Sequence, residues 1–151
     1  MKKEDKELLK KVICSMLPYG VKVKITEEGV LSYDSGIGVI VGKEYVDNET
    51  YIIQCKNDSY FLTIISEFMP YLRTMSSMTV VEQKDLRRLT DAISIYDDGL
   101  EFESHDGCND YIGYCFCSKI VDWLNAHHFD YCGLIPMGLA LEAPEGMYKD
   151  E

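Results

Sequence analysis

No stretch of this sequence is long and apolar enough to cross a bilayer, which excludes a membrane span. It has no repeat, low-complexity segment or linker, so arrays and tethered modules are excluded as well. Basic residues are scarce: Lys plus Arg number 15 against 26 Asp plus Glu, a net charge of −11. Such a field repels phosphate backbones and excludes general nucleic-acid binding. The start, Met1-Lys2-Lys3-Glu4-Asp5-Lys6-Glu7, is followed by apolar residues broken at Lys10 and Lys11, so no signal-peptide core is seen. The expected compartment is the cytoplasm, where six cysteines would be thiols. Motifs of catalysis are missing too. There is no Gly-x-x-x-x-Gly-Lys-Ser/Thr, no His-Glu-x-x-His and no Gly-x-Ser-x-Gly. The acidic run near Gly99 and Gly107 lacks the spacing of a calcium loop.

What is present is an ordinary globular composition, 46% apolar and 27% charged over 151 residues. That length fits one domain, residues 1–151, able to bury a core without a disulfide or metal. Charge is unevenly spread. Residues 1–24 hold seven Lys against Glu4, Asp5 and Glu7, leaving −15 for the remainder.

Leu8, Leu9, Val12, Ile13, Met16 and Leu17 recur at helical spacing and predict about four turns ended by Pro18 and Gly20. Val21, Val23 and Ile25 alternate with polar residues as in a strand. Glu27-Glu28-Gly29 then turns the chain toward a partner strand at Val30 to Tyr33. Gly36, Gly38 and Gly42 bracket Ile37, Val39, Ile40 and Val41, the mark of a strand with bulges or tight bends. Tyr51 to Cys55 and Tyr60 to Ile65 predict a hairpin turning at residues 56–59. Pro70 to Met78 reads as a loop. Thr79 and Glu82 form a capping pair for a helix from Val80 to Ala92. Ile93 to Tyr96 and Leu100 to Phe102 read as a short hairpin, unless the first extends that helix. The best helix opens at Asn109 or Asp110, with Ile112, Phe116, Ile120, Trp123, Leu124 and His127 on one face. Phe129 to Pro144 is expected to pack over the domain in extended form. The predicted fold is α+β, a mainly antiparallel sheet packed against two or three helices.

Four groups of residues invite a chemical reading. Cys108-x₆-Cys115-x-Cys117 lacks paired zinc spacing, and on a helix Cys115 and Cys117 point about 200° apart, so no metal is expected. Cys108 beside His105, ahead of a helix start, is the best thiol nucleophile, though nothing supplies an orienting third group. His127 and His128 stand where the long helix should end, a position suited to bonding its last carbonyls; Asp130 and Tyr131 beside them make a ligand pocket the functional alternative. Arg73, Ser76 and Ser77, just before the capped helix, have the chemistry of an anion site. The acidic run Asp97, Asp98, Glu101, Glu103 and Asp106 reads as a solvated loop and strand edge, or as an acidic surface that imitates nucleic acid or docks a basic partner.

Several blocks carry a resemblance. They are Leu17-Pro18-Tyr19-Gly20-Val21, Pro70-Tyr71-Leu72-Arg73, Met75-Ser76-Ser77-Met78-Thr79, the run from Trp123 to Tyr131, Gly133-Leu134-Ile135, and Gly138 to Pro144. They resemble a family of small proteins of gut bacteria and of their phages and mobile elements, for which no activity is established. The blocks are scattered over the whole chain, and residues 34–66 are poorly covered. The family pattern has Pro where this chain has Thr74 and Arg where it has Cys132. The second departure removes a cation from any shared anion site and speaks against Cys132 as ligand or nucleophile. The resemblance implies a setting, an accessory protein of a prophage or mobile element, and no catalytic residue.

Together these features predict a non-catalytic binding protein without cofactor. It would dock a host protein, for instance to blunt a defence pathway, or hold a small polar, nucleotide-like ligand. Arg73, Ser76, Ser77, His127, His128 and Tyr131 would bind the ligand; Asp97, Asp98, Glu101, Glu103 and Asp106 would dock the protein. The rival is a small hydrolase or transferase using His127 or His128 as base and Arg73 as anion clamp. The pocket needs the 70–79 and 127–131 segments to meet.

Overall fold

The computed structural model describes residues 1–26, 36–44, 49–56, 58–89, 93–96, 99–102 and 110–149. The first helix, α1, spans Lys3–Met16 and buries Leu9, Val12, Ile13 and Met16, the stripe its periodicity predicts. Glu4 and Asp5 in its first turn suit the positive end of the helix dipole. A 3-10 turn at Leu17–Tyr19 follows, and Gly20, at φ 70°, reverses the chain.

The main sheet contains β1 (Lys22–Ile25), β2 (Ile37–Lys43), β3 (Thr50–Cys55), β4 (Tyr60–Ile64), β5 (Phe68–Leu72) and β8 (Leu141–Glu142). Its order is β4-β3-β2-β1-β5-β8. Every pairing is antiparallel except β5 with β8. Two helices follow β5: α2 (Val80–Leu89) and α3 (Asp110–Ala126). Between them β6 (Ile93–Tyr96) and β7 (Gly99–Phe102) pair as the hairpin reading expected. The α+β class is therefore as predicted. No described helix is long and apolar enough to cross a membrane.

The inner face of the sheet carries Val21, Val23, Ile40, Tyr51, Ile53, Phe68 and Leu72, packed against the buried stripe of α1. A second cluster joins Met75, Met78 and Leu86 to Ile120, Leu124 and Phe129. Tyr131 packs against both.

Three expectations need correction or lie elsewhere. The segment read as a loop from Pro70 begins within a strand, with Phe68, Pro70 and Leu72 buried and Met69 and Tyr71 half-buried. Proline is tolerated there because of register. Thr26 N donates to Glu67 O, so the register turns the backbone hydrogen-bonding groups of Thr26, Lys24 and Lys22 toward β5. Pro70 faces Val23, a pair without such bonds, and turns its nitrogen toward the flank where β8 reaches only Tyr71 and Leu72. The segment from Phe129 is not extended but a run of turns, with Gly133 and Gly138 at positive φ, and only Leu141–Glu142 becomes strand. The Asp130 carboxylate holds those turns by accepting from Leu134 N and Ile135 N, both at 2.8 Å. Finally, the turn at 27–29 and the strand at 30–33 lie outside the described residues; β2 is the strand paired with β1 on that side.

The end of α3 is held by its backbone. Phe129 N donates to Leu124 O at 3.0 Å and His128 N to Asn125 O at 3.1 Å. This pair of bonds is a Schellman motif, with Phe129 and Leu124 in apolar contact across it. It requires a left-handed residue, and His128 supplies one at φ 59°. Replacing His128 by Ala and by Gly removes the same ring, but only Ala keeps a Cβ that the left-handed region penalises by about 1 kcal/mol. Urea unfolding should therefore show His128→Gly more stable than His128→Ala by about that amount, the reverse of the usual ranking of these residues in helices.

Candidate functional site

The two segments that the pocket reading requires to meet do so, through their main chains. Arg73 N donates to His128 O and Asp130 N donates to Arg73 O, both at 2.8 Å, forming a parallel bridge between Arg73 and Phe129. Their side chains, however, turn to structural partners.

The Arg73 guanidinium lies 4.2 Å from the centroid of the Phe129 ring. It meets Glu82 in a bidentate pair, Nη1 to Oε1 at 2.6 Å and Nη2 to Oε2 at 2.9 Å, and Nη2 also donates to Ser77 O at 3.3 Å. Glu82 is also the capping residue of α2. Its Oε2 accepts from Thr79 N at 2.8 Å, while Glu82 N donates to Thr79 Oγ1 at 3.2 Å. Burial by itself would raise the Glu82 carboxyl. The hydrogen bonds from Arg73 and Thr79 and the Arg73 charge outweigh it, and the carboxyl is held at about 2. The arginine expected to clamp an anion is thus clamped by one of the protein's own.

Both imidazoles serve the fold. His127 Nδ1 donates to Trp123 O at 2.8 Å, and its ring stacks on Trp123 at 3.9 Å. This is the helix-end role expected of it. His128 is buried, donates from Nε2 to Tyr19 O at 3.0 Å, and stacks on Tyr148 at 3.8 Å. Tyr131 donates to the buried Asn125 Oδ1 at 3.0 Å, and burial raises its phenol. The Ser77 hydroxyl donates to Thr74 O at 2.8 Å, and that of Ser76 to Thr74 Oγ1 at 3.1 Å.

Tyr148 had no signal in the sequence reading, yet it ties the tail to the sheet. Its hydroxyl accepts from Lys22 N at 3.0 Å and donates to Tyr71 O at 2.8 Å. Lys22 and Tyr71 are the next pair in the β1–β5 register, so the phenol bridges the ladder where it opens. Lys22 Nζ donates to Met147 O and lies 5.1 Å from the Tyr148 ring centroid.

Two concavities flank this tail. A cleft of about 370 Å³ is lined by Arg73, Ser77 and Thr79 on one wall and by 142–149 on the other. Of the six predicted ligand residues, Arg73 and Ser77 border it; Ser76, His127, His128 and Tyr131 do not. A hollow of about 620 Å³ lies on the opposite side of the 144–147 turn, over Ile37, Gly38 and Val39 and beside Lys22, Gln54 and Lys56. It opens onto the outer face of the sheet. There Tyr60, Leu62 and Ile64 of β4 face Gln54, Ile52 and Thr50 of β3, and all three β4 residues are exposed. Their signal was legible, since 60–65 is an uncharged apolar run, but it was read only as a strand.

Asp97, Asp98, Glu103 and Asp106 lie outside the described residues, as do His105 and Cys108; the backbone of Glu101 belongs to β7. Among the described residues, no group of three or more His, Cys, Asp or Glu could hold a metal. Cys14, Cys55 and Cys132 are thiols.

The Glu82 pair has a measurable signature. Its carboxyl lies near 4.5 in an unfolded chain and about 2 when folded. The stabilisation is fully present above pH 4.5 and is lost as pH falls toward 2. With allowance for solvent screening it is about 1–2 kcal/mol. Glu82→Gln should lower stability by that amount at neutral pH and converge on the wild type near pH 2, measured by denaturant unfolding across this range.

Comparison with protein-family models, curated proteins and solved structures finds no match to this chain.

Proposed function

We propose that this chain is a non-catalytic binding protein that docks a host protein on the open face of its sheet. The observation carrying this reading is the exposed edge strand β4. Tyr60, Leu62 and Ile64 are 62%, 56% and 44% exposed, beside the half-buried Ile52 and the exposed Val41. Edge strands are normally blunted by charge or proline, and residues 60–65 contain neither. A partner laid along β4 would gain backbone bonds and bury three apolar side chains. Burial of a large apolar side chain is worth about 1.5–3 kcal/mol.

Charge indicates the kind of partner. Outside residues 1–24 the chain carries −15, so the complementary partner is apolar at its centre and basic around it. The resemblance to proteins of phages and mobile elements is the basis for seeking it among host proteins. The occupied state of Arg73, His127 and His128 favours binding over the hydrolase or transferase reading. A second reading, retention of a small polar ligand, is favoured by the cleft bordered by Arg73, Ser77 and Thr79.

The test immobilises the full chain and measures proteins retained from host extract. Leu62→Asp with Ile64→Asp should reduce specific retention at least about tenfold, as loss of a central apolar anchor does. Ser77→Tyr, which obstructs the cleft, should leave it unchanged. Retention abolished by Ser77→Tyr and spared by the double variant would overturn the docking reading in favour of the ligand. A wild type that captures no host protein, and that the double variant converts from dimer to monomer in sedimentation, would overturn it in favour of self-association.

A further inference from the structure

The far end of α1 holds a cluster whose polar atoms neither the core packing nor the docking surface uses. Tyr51 is buried among the inner-face residues of the sheet, its ring edge-on to Phe68 at 5.4 Å. Among the described residues its buried hydroxyl has no partner at good hydrogen-bond geometry. Phenylalanine would pack the same ring without stranding a polar atom, so the hydroxyl calls for a role. Cys14 is its neighbour: burial chiefly, then the charge and hydrogen-bonding of the Cys14 sulfur, push the phenol well above its ordinary range. Cys14 itself is exposed on α1. Lys43 Nζ stands 4.0 Å from Cys14 Sγ and 5.4 Å from the Tyr51 ring centroid, so an ammonium covers the same spot. A solvent-facing sulfur is therefore flanked by a cation and by a buried hydroxyl that has no well-formed hydrogen bond.

We propose that Cys14 is a reversible oxidation site that takes one oxygen from a hydroperoxide and is held as a sulfenic acid by Tyr51 and Lys43. The sulfur attacks the terminal peroxide oxygen. The S–O bond forms as the O–O bond breaks, and the thiol proton leaves with the departing oxygen as water or an alcohol. Sulfur is oxidised by two electrons and the peroxide is reduced by two. The new oxygen is a stronger acceptor than sulfur, set against two donors, and the phenol gains a well-formed partner. Neither of the other described thiols has this setting. Cys55 is buried, and Cys132 is half-buried and pushed up by burial and then by Asp130.

The experiment treats the full-length protein with substoichiometric hydrogen peroxide, traps sulfenic acid with a cyclic 1,3-diketone and maps the adducts by peptide mass spectrometry. Trapping should occur at Cys14 at least about tenfold ahead of Cys55 and Cys132. Tyr51→Phe removes a buried hydroxyl that has no well-formed hydrogen bond, so it should unfold at or above the wild-type temperature. It should nevertheless shorten the lifetime of the Cys14 sulfenic acid about fivefold, the worth of one hydrogen bond. Lys43→Met should act in the same direction. Trapping at Cys14 no faster than at Cys55 and Cys132 would overturn the proposal. So would an unchanged lifetime in Tyr51→Phe.

Discussion

The main-chain bridge between Arg73 and Phe129 is the constraint on which the rest of the molecule depends. It fixes the end of β5 to the end of α3. For Phe129 to reach Arg73, α3 must stop sharply, and the left-handed His128 makes that stop. Once Phe129 is in place its ring forms the floor under the Arg73 guanidinium, which then reaches Glu82 at the start of α2. Three elements separated along the chain are locked by one contact and its immediate neighbours. The same junction lets Tyr131 fasten the two apolar clusters together, with its hydroxyl on Asn125.

This explains why the residues with the most chemical promise are poor candidates for chemistry. An arginine between a carboxylate and an aromatic face is held rigidly and has its charge met. A histidine buried against a tyrosine and a backbone carbonyl is a packing unit. Among the described residues, what remains open is the opposite side of the sheet, where β4 is paired only with β3 and the 144–147 turn lies beside β1 and β2. The protein is thus divided between a face that holds it together and a face available to something else. Its acidity outside the first helix and strand would select what comes.

Much of this was legible from residue patterns, because periodicity reports burial directly. The stripe of α1, the alternation of β1, the β3–β4 hairpin and the Thr79–Glu82 cap follow from spacing alone. Pro70 misled because its tolerance depends on which side of β5 is unpaired, a property of register that a single strand cannot reveal. The turns after Asp130 were hidden for a similar reason: one carboxylate gathers two amides four and five residues on. The convergence of Arg73 with His128 is a condition of the pocket reading that spacing could not decide, and the satisfied state of Arg73 was not legible. Whether an arginine is free or satisfied depends on Glu82, nine positions away on a helix whose placement only the fold decides. Tyr148 gave no warning at all, since its partners at Lys22 and Tyr71 are distant in sequence.

Amide hydrogen exchange, resolved by residue, probes the junction most directly. If the bridge is structural, the amides of Arg73 and Asp130 should exchange as slowly as that of Ile40, which donates to Val21 O at 2.9 Å within the sheet. All three would then open only with global unfolding. Fast exchange at Arg73 and Asp130, at rates typical of a surface loop, with Ile40 still protected, would contradict it. The 70–79 and 127–131 segments would then be a mobile pair, free to serve as a ligand site after all.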